Sequence, residues 1–311
     1  MKILKNFTPL NLNMSENYLF SGAMSCAMKM AGEKDFDYWF FAMVTGDTFT
    51  QVYSRDNSKY YDCLSSVIFN ESHIEKAFKL CGYAYDFICE NELAKNPEKY
   101  YYQIVGSVNK NKPVILKHKD DSWFSMVIGV NDDKVLMKTV LFEAGIEKLD
   151  LDAFKDMAKS LVFVGDKKEN VDLKSIYKDT IMNIPSYINM KASHDASFGN
   201  TAFIDWALGL IDGRYDKIEN LNLGNVNENH LINLGTNKDV HSQISRVSDL
   251  LPDMGGLVGE LKKHIIKFDK IYNRLSEESK GFSLDKKEQM KLLNEIIMEC
   301  VAINDDICGL F

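Results

Sequence analysis

The chain has 311 residues, 45% of them hydrophobic and 11% aromatic, which suffices for two ordinary domains or for one large domain with an added subdomain. Its 37 Lys and Arg against 45 Asp and Glu leave a net charge of −8, which argues against a dedicated nucleic-acid or anionic-membrane surface. No apolar run approaches membrane-spanning length, the start lacks a signal-peptide core, and the six cysteines are scattered with no CxxC pair, so a cytoplasmic protein with free, mostly buried thiols is expected. The histidines show no ligand-like spacing, and neither a metal nor a cofactor is expected.

From the N-terminus, Gly22 to Ala31 reads as a buried helix whose polar side chains, Ser25 and Lys29, lie on one face, with Ser21 continuing that line. Phe36 to Val44 is a second apolar stretch, closed by Thr45 and Gly46. Ser72 reads as the N-cap of a helix from His73 to about Leu80, followed by an extended run from Tyr83 to Cys89. Asn96 and Pro97 open a helix that reaches about Asn109, and Pro113 to Leu116 forms a short strand. Trp123 to Val130 and Val135 to Leu141 make a hairpin around Asn131, Asp132 and Asp133. The helix Leu151 to Lys159 then leads into a strand from Ser160 to Val164.

The polar stretch Gly165 to Val171 marks the best boundary in the chain, and the expected division is 1–165, a linker at 166–172, and a helical domain at 173–311. Helical periodicity runs through Ile176 to Met190, Thr201 to Ile211, Val240 to Leu251, Leu257 to Leu275 and Leu284 to Ile307. Asp285 with Glu288 resembles a capping box, and Asn-rich loops occupy 220–237. The overall expectation is an α+β domain with a central buried helix and an antiparallel sheet, followed by a mostly helical domain.

The order of buried helix, aromatic run, TG-x-x-F turn, LCGYAYDF segment, KPVIL strand and MVIGVND hairpin resembles the papain-like superfamily. Within it the chain is similar to the C39-like peptidase group that includes the N-terminal domain of the butirosin-biosynthesis acyltransferase family. The resemblance covers about residues 15 to 165. It implies a thiol nucleophile at the start of the central helix, and counting back from Gly32 puts that position at Leu19, with Phe20, Gly22, Ala23 and Met24 matching the residues that follow. It also implies a histidine about six residues before Gly129, where Trp123 stands, and an orienting Asp or Asn near Thr139. None of these three residues performs thiol chemistry.

Two other nucleophiles deserve comparison. Cys26 lies well inside the helix, where the N–H groups that stabilise a thiolate are already bonded, and Ser21 near the helix start reads more simply as an N-cap. The candidate bases, His118 in KHKDD and His194 in MKASHDASFGN, read as loop residues. Asp47, Thr48 and Phe49 follow Gly46 in a turn that the resembling family keeps near its cleft, and an indole at Trp123 would line a flat, apolar pocket.

The leading expectation is therefore a catalytically degenerate papain-like protein. It would bind a small amphipathic metabolite, a peptide or an acyl chain through Leu19, Phe20, Ser21, Asp47, Thr48, Phe49, Trp123 and Thr139, with the C-terminal helices closing or regulating the cleft. An acyltransferase or peptidase using Cys26 or Ser21 with His118 or His194 is the enzymatic alternative. An assembly subunit, self-associating as a homodimer or docking a partner through its helices, is the third. Nucleic acid and membrane are not expected as partners.

Overall fold

The computed structural model describes the chain except for residues 56–62, 120–122, 133, 141–144, 194, 213–229, 231–233, 236–239 and 281–285, and describes residues 13, 240–242 and 286 through their backbone only. His194, Asp121, Asp285 and most of the Asn-rich stretch lie outside the described residues. The strands, numbered along the chain, are β1 (Lys2–Ile3), β2 (Val52–Ser54), β3 (Tyr83–Ile88), β4 (Val114–His118), β5 (Phe124–Asn131), β6 (Lys134–Thr139), β7 (Glu147–Leu149), β8 (Ala158–Lys167) and β9 (Ala196–Phe198). The chain divides into two compact units: Met1–Thr45 with Ile68–Asp172, and Gly46–Val67 with Leu173–Phe311.

The first unit is α+β. Its antiparallel sheet has the order β3-β8-β4-β5-β6-β7, and β1 pairs with the far end of β5. That last pairing explains a glycine: a Cβ on Gly129 would stand 2.4 Å from the Lys2 carbonyl oxygen, so only glycine lets β1 approach. The helices are α1 (Leu19–Met30), α2 (Tyr38–Val44), α3 (Leu64–Val67), α4 (Glu71–Cys81), α5 (Glu90–Lys95), α6 (Pro97–Asn109) and α7 (Leu151–Met157), of which α3 belongs to the second unit.

Strand alternation divides the sheet's side chains between two layers. Val114, Leu116, Val127, Met137, Leu161 and Phe163 share a core with Tyr101, Ile104 and Val108 of α6 and Phe154 of α7. The opposite face, which includes Phe124, receives α1 through Phe20. Tyr101 ties the two layers of its core together, its hydroxyl donating to the Leu149 carbonyl at 2.8 Å and accepting from the Val135 N–H at 3.3 Å.

Helix ends follow local chemistry. α6 starts at Pro97, where a missing N–H costs nothing, as the sequence predicts. α4 begins two residues earlier than expected, because the Asn70 side chain, not Ser72, accepts the His73 N–H at 3.0 Å, and Gly82 ends it at φ 74. α1 begins at Leu19, three residues before the predicted start, so Ser21 sits inside its first turn rather than at its N-cap. Tyr18 is the N-cap and offers no side-chain bond there. The Tyr38 hydroxyl instead accepts the N–H groups of Asn17 at 3.1 Å and Tyr18 at 3.0 Å, which fixes how the chain enters the helix.

The second unit is mostly helical. Its only sheet among the described residues pairs β2 with β9, Val52 opposite Phe198 and Ser54 opposite Ala196. The periodicity at 176–190 resolves into α8 (Leu173–Met182) and α9 (Ile184–Ile188), since Pro185 cannot continue α8 and suits the first turn of a new helix. Beyond them lie α10 (Gly199–Ile211), α11 (Val240–Leu250), α12 (Gly255–Lys280) and α13 (Lys286–Cys308), with α13 packed against both α10 and α12. Among the described residues no helix is long and apolar enough to cross a membrane.

Candidate functional site

The start of α1 is the place where a thiol enzyme of the resembling group would hold its nucleophile. Here Leu19, Phe20 and Ser21 are all buried. The Phe20 ring meets Phe69 at 5.5 Å, His73 at 5.4 Å and Phe124 at 5.9 Å, and Phe69 in turn lies edge-on to Phe124 at 5.1 Å. Into this aromatic cluster β4 projects a charge: the Lys117 ammonium stands 4.6 Å from the Phe69 centroid and 5.5 Å from that of Phe124. Lys117 is 6% exposed. Ser160, its direct partner across β4 and β8, is buried, and its Oγ has no hydrogen-bond partner among the described residues. Burial, reinforced by the Lys76 charge, pulls the His73 imidazole down to about 4, so it is neutral at physiological pH.

The expected partners of the nucleophile are placed differently. Thr139 pairs with Ser125 across the hairpin, and Leu116 pairs with Ser125 on its other side. These residues therefore share the sheet face opposite to the one that carries Phe124 and Lys117. His118 belongs to that same face, and its Nε2 lies 2.8 Å from the Ser125 Oγ. Trp123 is half-buried at the entrance to β5, its carbonyl accepting the His118 N–H at 3.0 Å. A register shift between Val127 and Gly129 separates Gly129 from these positions, so a count back from that glycine passes a bulge, and the β5 ring that meets Phe20 is Phe124, next to Trp123.

Cys26 is a core residue. Its side chain is 1% exposed, its thiol lies 3.8 Å from the Met30 sulfur, and burial pushes its pKa up to about 11. A thiol held protonated at neutral pH is a poor nucleophile.

Asp47, Thr48 and Phe49 belong to the second unit. Gly46 opens their turn at φ 92, and any Cβ there would come within 2.6 Å of the Tyr187 ring. The Asp47 carboxylate is fully buried and accepts from the Ser65 N–H at 2.8 Å and the Ser65 hydroxyl at 2.7 Å, which anchors the short helix α3 to the turn. Phe49 stacks on Tyr187 with ring planes 9° apart. Thr48 and Phe49 also line a cavity of about 40 Å³ inside the second unit, together with Gln51. Close to Gln51, His230 packs between Tyr53 at 4.9 Å and Trp206 at 5.1 Å, and desolvation lowers its pKa to about 4 despite a backbone hydrogen bond to Val52.

The eight expected binding residues thus divide between the units, five in the first and three in the second. Lys117, Ser125 and Gln51 escaped the sequence reading. Lys117 alone had a visible signal, a single charge inside the apolar run VILK on a strand that both layers cover. Among the described residues no group of His, Cys, Asp and Glu is arranged to hold a metal ion. No protein-family model matches the chain, and no curated protein matches it.

Proposed function

We propose that the first unit is a papain-like domain without thiol machinery, and that it binds a small amphipathic ligand, a peptide or an acyl chain, at the N-terminal end of α1. One observation carries this reading. The helix start that would present a nucleophile presents Leu19 and Phe20, and Phe20 packs on Phe124, the neighbour of the Trp123 that stands at the expected base position. The aromatic cluster supplies apolar contact, Lys117 supplies one positive charge beside it, and the half-buried Trp123 supplies an indole at the strand entrance. A monoanionic amphiphile matches that combination. A polyanion does not, given the net charge of −8. A cytoplasmic location agrees with six free cysteines, of which Cys89 is exposed.

Two measurements test the reading. A thiol-directed probe mapped by mass spectrometry is expected to label Cys89 quickly and Cys26 slowly. Fast labelling of Cys26 at neutral pH would show a nucleophile and sink the proposal. Octanoate titrated into the full chain is expected to shift the Trp123 indole resonance, assigned with a Trp123→Phe variant, in a saturable way. An unmoved indole at saturating octanoate would remove the binding site from this place.

A further inference from the structure

β3 is the outermost strand of the first unit's sheet, and a groove of about 320 Å³ runs between β3, β8 and α6. That is the size of an ordinary small-ligand site. Asp86 of β3 pairs with Phe163 of β8, so both belong to the sheet face that α6 packs on, opposite the face of Phe124 and Lys117.

The two ends of the groove differ in charge. At one, Gln103 Nε2 donates to Asp86 Oδ2 at 3.2 Å, which holds an exposed carboxylate in place with one oxygen engaged. At the other stand Lys110 and Lys112. Lys112 pairs with Asp166 at 2.8 Å, and Lys110 has no ion-pair partner among the described residues. Lys112, Lys168 and Lys110 together hold the Asp166 carboxyl below its usual range, and three ammonium groups around one carboxylate leave this end positive. The last carbonyls of α6, which would repel an anion here, are already bonded: Lys2 Nζ donates to that of Asn109 at 2.5 Å, and the Lys112 N–H to that of Ser107 at 3.0 Å.

Gln103 and Lys110 share a face of α6 and stand about 10 Å apart along its axis. Between them lies Gly106. A Cβ there would meet nothing within 4 Å, so no packing contact calls for a glycine, although glycine weakens a helix interior relative to alanine. The missing side chain keeps the groove open midway.

We propose that this groove is a binding site for a short linear zwitterion, a free peptide of about three residues, with its terminal ammonium on Asp86 and its terminal carboxylate at Lys110 and Lys112. An extended peptide advances ~3.3–3.6 Å per residue, so about three residues span the distance between the charged ends. A nucleoside phosphate would satisfy the lysines but offer Asp86 no cation. The site is separate from the one at the start of α1, and its failure leaves that reading standing.

The experiment titrates trialanine, N-acetyl-trialanine, trialanine amide, alanine and adenosine monophosphate into the full chain and follows the Gly106 and Gly165 amide resonances. Saturable shifts with trialanine are expected. Blocking either terminus should weaken binding about threefold, the size of one exposed ion pair, and alanine, which reaches only one end, should give no saturable shift. Asp86→Asn should remove the preference for trialanine over its N-acetyl derivative, and Lys110→Ala should weaken trialanine while leaving its amide unchanged. Both side chains are exposed, so neither change disturbs the core. Gly106→Gln, which adds a helix-favouring side chain midway along the groove, should abolish binding without lowering the melting temperature. Equal binding of free and blocked peptides, tighter binding of adenosine monophosphate than of trialanine, binding that survives Gly106→Gln, or no saturable shift at all would overturn the proposal.

Discussion

The first unit sets a buried lysine among aromatic rings, whereas the second sets a buried amide beside a cavity of mixed aromatic and aliphatic walls. The Lys117 amine lies beside Phe69 and Phe124, whose π faces attract a cation where saturated hydrocarbon does not. Gln51 has no charge to compensate, and Ile265 and Ile307 contribute only contact area. The difference lies in the polar group that each unit leaves among apolar side chains, a primary amine in the first and the oxygen of a carboxamide in the second. It also separates a close-packed aromatic cluster from a cavity. Phe20 occupies the space beside Phe124, while the side chains around Gln51 leave room.

That contrast in packing predicts the largest mutational effect. Phe20→Ala removes a fully buried ring from the aromatic cluster and should cost about 3–5 kcal/mol in chemical denaturation. Ile265→Ala, on a cavity wall where contacts are already missing on one side, should cost only about 2 kcal/mol. Equal costs would erase the distinction between a close-packed cluster and a cavity wall.

In their response to pH the two units should agree. His73 in the first and His230 in the second both titrate near 4 when folded, against an ordinary value of 6.5. Between those values the unfolded chain binds the proton and the folded one does not, so stability is complete above about pH 6.5 and falls as the pH drops toward 4. The loss is of the order of 3 kcal/mol for each histidine. Denaturation curves from pH 7 to 4.5 should show the decline, and His73→Gln or His230→Gln should flatten it. A pH-independent midpoint in the parent chain would contradict both assignments.

Smaller effects distinguish how each unit fixes its helices. Asp47→Ala strands the Ser65 N–H and hydroxyl in the second unit's interior and should cost about 2 kcal/mol in thermal or denaturant melts. Asn70→Ala removes the N-cap of α4 and should cost about 1 kcal/mol. If the order reversed, the Asp47 carboxylate would be serving something other than α3.

The elements of the first unit were legible in sequence where a local signal coincided with the tertiary need. Pro97 both starts α6 and carries no N–H to satisfy, and the Asn131–Asp132 turn lies between two apolar runs, so helix and hairpin were placed nearly as they occur. The start of α1 was missed because its entry is held by the Tyr38 hydroxyl from another helix, which leaves no polar residue at the N-cap to read. The face of β5 that meets Phe20 was missed for a related reason. A bulge near Gly129 adds a residue to any count along the strand, and bulges leave little trace in a hydrophobic pattern. Of the candidate residues, Leu19, Phe20 and Ser21 follow from position at the start of a helix, which the structure places in the first turn of α1. Gln51 was beyond reach, since its significance depends on the carbonyls of Val52 and His230, the latter 179 residues away.

The pairing of β2 with β9 has a consequence for how this protein is made. Val52 must wait for Phe198, so the second unit cannot close until a stretch that includes Ile68–Asp172 has left the ribosome. A fragment cut at the polar stretch before Leu173 would lack Gln51, the Asp47 anchor and one strand of its sheet. Anyone dissecting the protein therefore gains little from halving it there. A first unit with Gly46–Val67 replaced by a linker respects the way the polypeptide is woven.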